Sequence, residues 1–308
     1  METLYITSPA CRQHEMGSWH PECPERLDAI NDHLLSSGIM TFLDVLDRPR
    51  VATEAEILRV HKPEYLAHLK AVSPASGYFA IDGDTAMNAH TLTAAFEAAG
   101  AGTEAVDAVL AGAARSAFCN VRPPGHHAES GRAMGFCFFN NVAVAAAHAL
   151  EHHRLARVAI VDFDVHHGNG TEEIFFDEPR VMMCSFYQHP FYPNSRREEA
   201  RDNMVNVPVD AYTTGFDLRQ MVSDIWIPRL ADFQPQLILV SAGFDAHRED
   251  EMGQLGMTES DYAWITDQLV RLAERTAGGR IVSVLEGGYN LSALGRSAVA
   301  HIRSLSKL

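Results

Sequence analysis

No apolar run in the 308-residue chain reaches the roughly 18 residues that a membrane-spanning helix needs. A transmembrane helix is therefore excluded. Cysteine is sparse: five residues, at 11, 23, 119, 137 and 184, with no C-x-x-C pair and an odd total. That excludes a closed disulfide framework and reads as free thiols in a reducing cytosol. Positive charge is also short. The 25 Lys+Arg stand against 40 Asp+Glu, a net charge of −15, which disfavours nucleic acid phosphates and anionic membrane surfaces as partners. There is no fixed-period repeat, low-complexity segment or long Gly/Ser/Pro linker, so one domain over 1–308 is expected. The opening Met1-Glu2-Thr3-Leu4-Tyr5 has no basic stretch and no signal-peptide core, and a cytoplasmic location is expected.

What is present is ordinary apart from one residue type. Hydrophobic residues make up 46% and charged residues 21%, a composition able to bury a sizeable core. The sixteen histidines are the anomaly, and several are paired: His126-His127, His152-His153 and His166-His167. Strand-like apolar runs recur at 3–6, 116–121, 158–161, 181–185, 237–241 and 281–285. The later runs are nearly continuous, as strands buried on both faces are. Helical patterns lie between them, at 91–110, 141–153, 216–233 and 259–276. The alternation predicts an α/β sandwich with a mainly parallel central sheet and helices on both faces.

In such sheets ligands bind beyond the carboxyl ends of the strands. Four strands are followed there by ionisable residues: Arg122 to His127, Asp162 to Gly170, Ala242 to Asp245 and Glu286 to Asn290. Asp162-x-Asp164-x-His166 has strand spacing, which turns alternate side chains the same way. Such a group needs a cation to offset repulsion and desolvation; a solvated turn is the plainer reading. Asp245 ends another apolar strand, as a turn residue or as a further ligand. Asp164, His166 and Asp245 would supply O, N and O donors with open positions, the arrangement of a catalytic zinc. His126-His127 follows a stiff Pro-Pro-Gly and suits a general base with an electrostatic partner. His152-His153, beside Glu151 and Arg154, reads as a surface pair. Tyr289, after two glycines, could donate its hydroxyl to a carbonyl oxygen gaining charge, or could simply be packed as an aromatic lid.

Taken together these residues resemble the histone deacetylase superfamily, class II in particular. The resemblance runs from His20-Pro21-Glu22-Cys23-Pro24-Glu25-Arg26-Leu27 to Gly287-Gly288-Tyr289-Asn290. Its most specific pieces are Arg122-Pro123-Pro124-Gly125-His126-His127-Ala128, Gly135-Phe136-Cys137-Phe138-Phe139-Asn140, Asp162 to Gly170 and Leu285 to Tyr289. It implies an arginase/deacetylase-type fold, with Zn2+ on Asp164, His166 and Asp245. His126 and His127 would flank the attacking water, with His127 as general base, and Tyr289 would polarise the amide carbonyl. Asp162 would bond His126 and, with Ser185, help hold a K+ ion. Asn169, where class I members carry Asp, would contact His127. Gly135, Phe136, Tyr192 and Met252 would form the substrate tunnel, Tyr192 replacing the usual Phe.

The implied activity is hydrolysis of the side-chain amide of acyl-lysine, in a peptide or in an acetylated small amine. Acetylpolyamine deacetylation is the sibling alternative. Polyamine-selective relatives carry a glutamate where Met252 stands, although Glu251 is adjacent. A dimanganese ureohydrolase would need carboxylates where His127 and Asn169 stand, and a non-catalytic binding module would be expected to have lost a ligand or Tyr289. Oligomeric state is not read from the sequence.

Overall fold

The computed structural model describes residues 3–195, 199 and 201–308. Met1 and Glu2, part of the opening segment read above, lie outside them. The strands are β1 (Thr3–Thr7), β2 (Leu43–Leu46), β3 (Phe79–Ala80), β4 (Ala86–Met87), β5 (Ser116–Asn120), β6 (Val158–Asp162), β7 (Val181–Gln188), β8 (Met204–Val209), β9 (Leu237–Ala242) and β10 (Ile281–Leu285). The α-helices are α1 (Glu25–Ser36), α2 (Glu54–Ile57), α3 (Pro63–Val72), α4 (Thr91–Ala111), α5 (Asn141–Glu151), α6 (Asn169–Phe175), α7 (Gly215–Met221), α8 (Ile227–Phe233), α9 (Glu259–Thr276) and α10 (Leu291–Ser306).

Eight strands form one sheet in the order β2-β1-β5-β10-β9-β6-β7-β8, and every neighbouring pair in it is parallel. β5, β6, β9 and β10 are buried along their whole length, as their apolar runs require. Successive side chains on β10 serve opposite faces. Ser283 Oγ lies 2.8 Å from His301 Nε2 on α10, while Val284 approaches Gly102 on α4. One helical layer thus contains α4 and α5, packed together, and the other α1, α9 and α10.

Local chemistry sets the helix boundaries. Asn140 and Asn290 each accept a backbone N–H from three residues on, at 3.0 Å, and so start α5 and α10. Thr258 and Asp261 form a capping box at α9. The helical pattern at 216–233 departs from regularity: a π-helical turn, Val222–Trp226, separates α7 from α8. Pro228 explains it, since proline has no N–H and its ring crowds the carbonyl four residues back. β2 and β8 carry no continuous apolar run because they are the sheet edges and are partly exposed.

Candidate active site

The sheet order makes β5, β10, β9 and β6 consecutive, so the four loops noted above leave adjacent strands on one edge. β6 stops at Asp162. Asp164 and His166 lie beyond it in a bend, not on the strand as their spacing suggested. The bend is built from the motif itself. Asp164 N donates to Asp162 Oδ1 at 3.0 Å, and His166 N donates to Asp164 Oδ1 at 2.8 Å. Each short carboxylate captures the backbone two residues on, which bends the chain in place of a sheet ladder.

The bend, with the loop after β9, brings together three candidate metal-ligating groups. His166 Nδ1 is 3.0 Å from Asp164 Oδ1 and 3.1 Å from Asp245 Oδ2. The donor atoms of these three residues all lie within 4.8 Å of one another. Backbone N–H groups hold the outer oxygens: Gly287 N donates to Asp164 Oδ2 and Val165 N to Asp245 Oδ1, both at 2.9 Å. A Cβ at Gly287 would strike both carboxylates. Burial together with the charge of Asp164 raises the Asp245 carboxyl to about 7. Burial disfavours a charged His166, but the two aspartates outweigh it and raise that imidazole to about 10. Two fully buried carboxylates and one imidazole at this spacing fit a divalent cation, which would offset the negative charge.

The two adjacent histidines face different partners. His126 Nδ1 lies 2.9 Å from Asp162 Oδ2, and His127 Nδ1 lies 2.8 Å from Asn169 Oδ1. Asn169 Nδ2 donates to Glu129 Oε1 at 2.9 Å, which turns its carbonyl oxygen toward His127 and makes His127 Nδ1 the donor. Nε2 of His127 is left with its lone pair. Burial, with His126 and His166 nearby, holds the His127 pKa well below the usual imidazole value. Burial acts the same way on His126, but Asp164, Asp162 and Glu286 outweigh it and raise that group well above the usual value.

A cavity of about 210 Å³ opens over this group, lined by Asp84, His127, Gly135, Phe136, His166, Phe191, Tyr192, Glu251, Met252 and Tyr289. Its walls are aromatic. The His127 and Tyr192 rings meet edge to face at 5.1 Å, Phe136 and Tyr289 at 5.9 Å, and Phe191 stacks on His166 at 5.5 Å. Gly135 has φ +55°, and a Cβ there would collide with the His127 ring. This is a place where only glycine fits.

A family profile described as the histone deacetylase domain matches residues 20–305. The chain belongs to the histone deacetylase family. It is 37% identical over 300 residues to a histone deacetylase-like amidohydrolase of Pseudomonas aeruginosa, covering 93% of this chain and 77% of that one. It is 39% identical over 311 residues to human polyamine deacetylase HDAC10, covering 92% of this chain but only 45% of the human protein. The HDA15 HD domain crystal structure superposes with a TM-score of 0.93 at 34% identity, covering 99% of this chain and 90% of that one. The fold is thus that of histone deacetylases: an α/β architecture on an eight-stranded parallel sheet.

Of the family-derived positions, Gly135, Phe136, Tyr192, Met252, His127, His166 and Tyr289 share the cavity, and His126, Asp162, Asp164, Asn169 and Asp245 surround its floor through the bonds above. Ser185 sits beside Asp162 in the β6–β7 register, but its hydroxyl donates to Asn206 Oδ1 at 2.8 Å. Sequence reasoning did not single out Asp84, Phe191, Glu129 or Asp250. Asp250 Oδ2 accepts the backbone N–H of Tyr289 at 2.6 Å and of Asn290 at 2.9 Å, fixing the turn that carries the tyrosine. His152 and His153 are not an isolated surface pair: His153 bonds Asp107 of α4, and both rings lie against His148 of α5. No helix among the described residues is long and apolar enough to cross a membrane.

Proposed function

We propose that this histone deacetylase-family protein is a zinc-dependent amidohydrolase that removes acetyl or other short acyl groups from lysine side chains. The supporting observation is the convergence of the Asp164, His166 and Asp245 donors with His127 and Tyr289 on one aromatic cavity. Asp164, His166 and Asp245 would hold the zinc; a mixed O, N, O set with no thiolate is that of a catalytic site with open positions. When bound, zinc supplies Lewis-acid polarisation of the scissile carbonyl and acidifies water. Asp162 and Ser185 are proposed to help hold a potassium ion.

The protein's own groups carry the protons. His127, held in one tautomer by Asn169, takes a proton from the attacking water at Nε2. The Tyr289 hydroxyl donates to the oxygen on which negative charge develops. The C–N bond then breaks as the protonated His127 returns that proton to the departing amine, with His126 alongside hydrogen-bonded to Asp162. The products are a free amine and a short carboxylic acid.

Phe136, Phe191 and Tyr192 suit the aliphatic stem of lysine, and Met252 adds a flexible apolar contact. Asp84 and Glu251 on the same cavity favour a cationic chain, which supports acetylpolyamine as the second reading; a relative carrying that activity in its name is 39% identical. The test is kcat/KM on an acetyl-lysine peptide against acetylspermidine and acetylputrescine, in wild type and Met252→Glu. Wild type is expected to prefer the peptide, and Met252→Glu to move the preference toward polyamine. A wild type that prefers acetylpolyamines by about tenfold, roughly 1.4 kcal/mol of discrimination, would replace the first reading with the second.

A further inference from the structure

Away from the cavity, the C-terminus of α5 carries a second group of metal-ligating side chains. His148 and His152 are four residues apart on one helix face, and their rings stack at 4.8 Å with an interplanar angle of 10°. His153 follows, its ring 4.9 Å from His152 and 5.3 Å from His148. Asp107 reaches them from α4. Its Oδ1 is 2.7 Å from His148 Nε2 and 2.6 Å from His153 Nε2. One donor atom from each of these four residues lies within 4.8 Å of all the others.

Two features point to a cation here. Both short contacts end on the same carboxylate oxygen, so two imidazole N–H groups converge on one point, which a single metal ion can take over from two protons. His152 is exposed, and among the described residues its ring nitrogens bond no other side chain, leaving it free to turn a nitrogen inward. The surroundings are balanced in charge. Arg50 Nη2 lies 3.5 Å from Asp107 Oδ2 and also pairs with Glu56. Arg59 Nη1 donates to His148 Nδ1 at 3.1 Å, and Glu56 Oε1 is 3.4 Å from the same nitrogen. Nδ1 of His148 accepts from Arg59 as the site stands; with Nε2 on a metal it takes up a proton and turns it to Glu56, displacing the Arg59 contact.

We propose that Asp107, His148, His152 and His153 form a second metal site for a late first-row divalent ion such as Zn2+, clamping the end of α5 to α4. Three imidazoles and one carboxylate suit Zn2+, Co2+, Ni2+ or Cu2+ and not the oxygen-seeking Mg2+ or Ca2+. The site is structural. The other end of α5, ~16 Å away along its 11 residues, meets the loop bearing His126 and His127: Asn141 Nδ2 donates to Pro123 O at 3.0 Å and Asn140 Nδ2 to Ala128 O at 3.3 Å. The clamp therefore acts on the end of α5 remote from that loop, and its loss is expected to leave the chemistry there unchanged.

The test is metal stoichiometry. Full-length protein is stripped with a chelator, dialysed against zinc, passed through gel filtration into metal-free buffer and assayed for zinc per chain. His152→Ala/His153→Ala is expected to hold one zinc per chain fewer than wild type while keeping its rate on an acetyl-lysine peptide. His152→Ala alone, at an exposed position, is expected to weaken retention at the same site and controls for misfolding. Zinc is expected to raise the Tm of Asp245→Ala but not that of Asp245→Ala/His152→Ala/His153→Ala. Equal zinc in wild type and the double variant, or zinc lost from both on gel filtration, overturns the proposal.

Discussion

The Arg26 guanidinium lies 4.9 Å from the centre of the Tyr289 ring, and its Nε donates to the Gly288 carbonyl at 2.6 Å. The same side chain donates to the Glu286 carbonyl and to Glu22 Oε1. One buried cation thus holds the backbone on either side of Gly287 and the face of the tyrosine. Glu22 in turn pairs with Arg122 through Nε and Nη2, and the remaining nitrogen, Nη1, donates to both the Cys11 and His14 carbonyls.

Arg26→Lys keeps the charge but cannot reach both carbonyls and the ring together. Its kcat on an acetyl-lysine peptide is expected to fall with little change in KM, because Tyr289 loses its fixed place. Retained kcat would show that the tyrosine is positioned by Asp250 alone.

Tyr289→Phe keeps the ring packed on Phe136 and removes only the hydroxyl. Loss of one oxyanion donor lowers kcat by about 10²–10³-fold, and that is the expected loss here, with substrate binding less affected. Unchanged turnover would make the residue a packing element only.

Chelation is expected to abolish hydrolysis and added zinc to restore it. Asp245→Ala should lower metal occupancy at the cavity. His127→Ala should keep the metal and lose about 10²–10⁴-fold in rate, as expected for a general base. Metal analysis of the two variants separates the roles, and loss of metal from His127→Ala would place that histidine among the ligands.

Glu22 predicts the acid limit of stability. Burial alone would raise its carboxyl, but Arg122, His14 and Arg26 outweigh it and hold the pKa far below the usual carboxylate range. A pKa lower in the folded than in the unfolded chain gives stability that is full above the unfolded value, roughly 4.3, and is lost as pH falls below it. Tm is expected to drop progressively below about pH 5. Glu22→Gln should flatten that dependence and lower stability at neutral pH by about 3–5 kcal/mol, since buried arginines lose their partner. A wild-type Tm that is flat from pH 5 to 3, measured by calorimetry, would remove this pairing as the cause.

The sequence alone determined the central strands and the residues at their ends. Buried parallel strands need continuous apolar runs, and an aspartate that captures the backbone two residues on sets its own spacing, as Asp162 does with Asp164 and Asp164 with His166. Both are signals written within a few residues. Only the tertiary structure decided which of those ends would meet, because strand order is set by long crossovers and not by any local pattern. It also decided the groups that neutralise each other across distance. Glu22 and Arg122 are 100 residues apart, and each alone reads as a surface charge; burial is tolerable only once the fold brings them together. His152-His153 carried the same ambiguity. Read along the chain they are a solvated pair at the end of a helix, and it is the packing of α4 on α5 that brings Asp107 to them and supplies the carboxylate a lone histidine pair lacks.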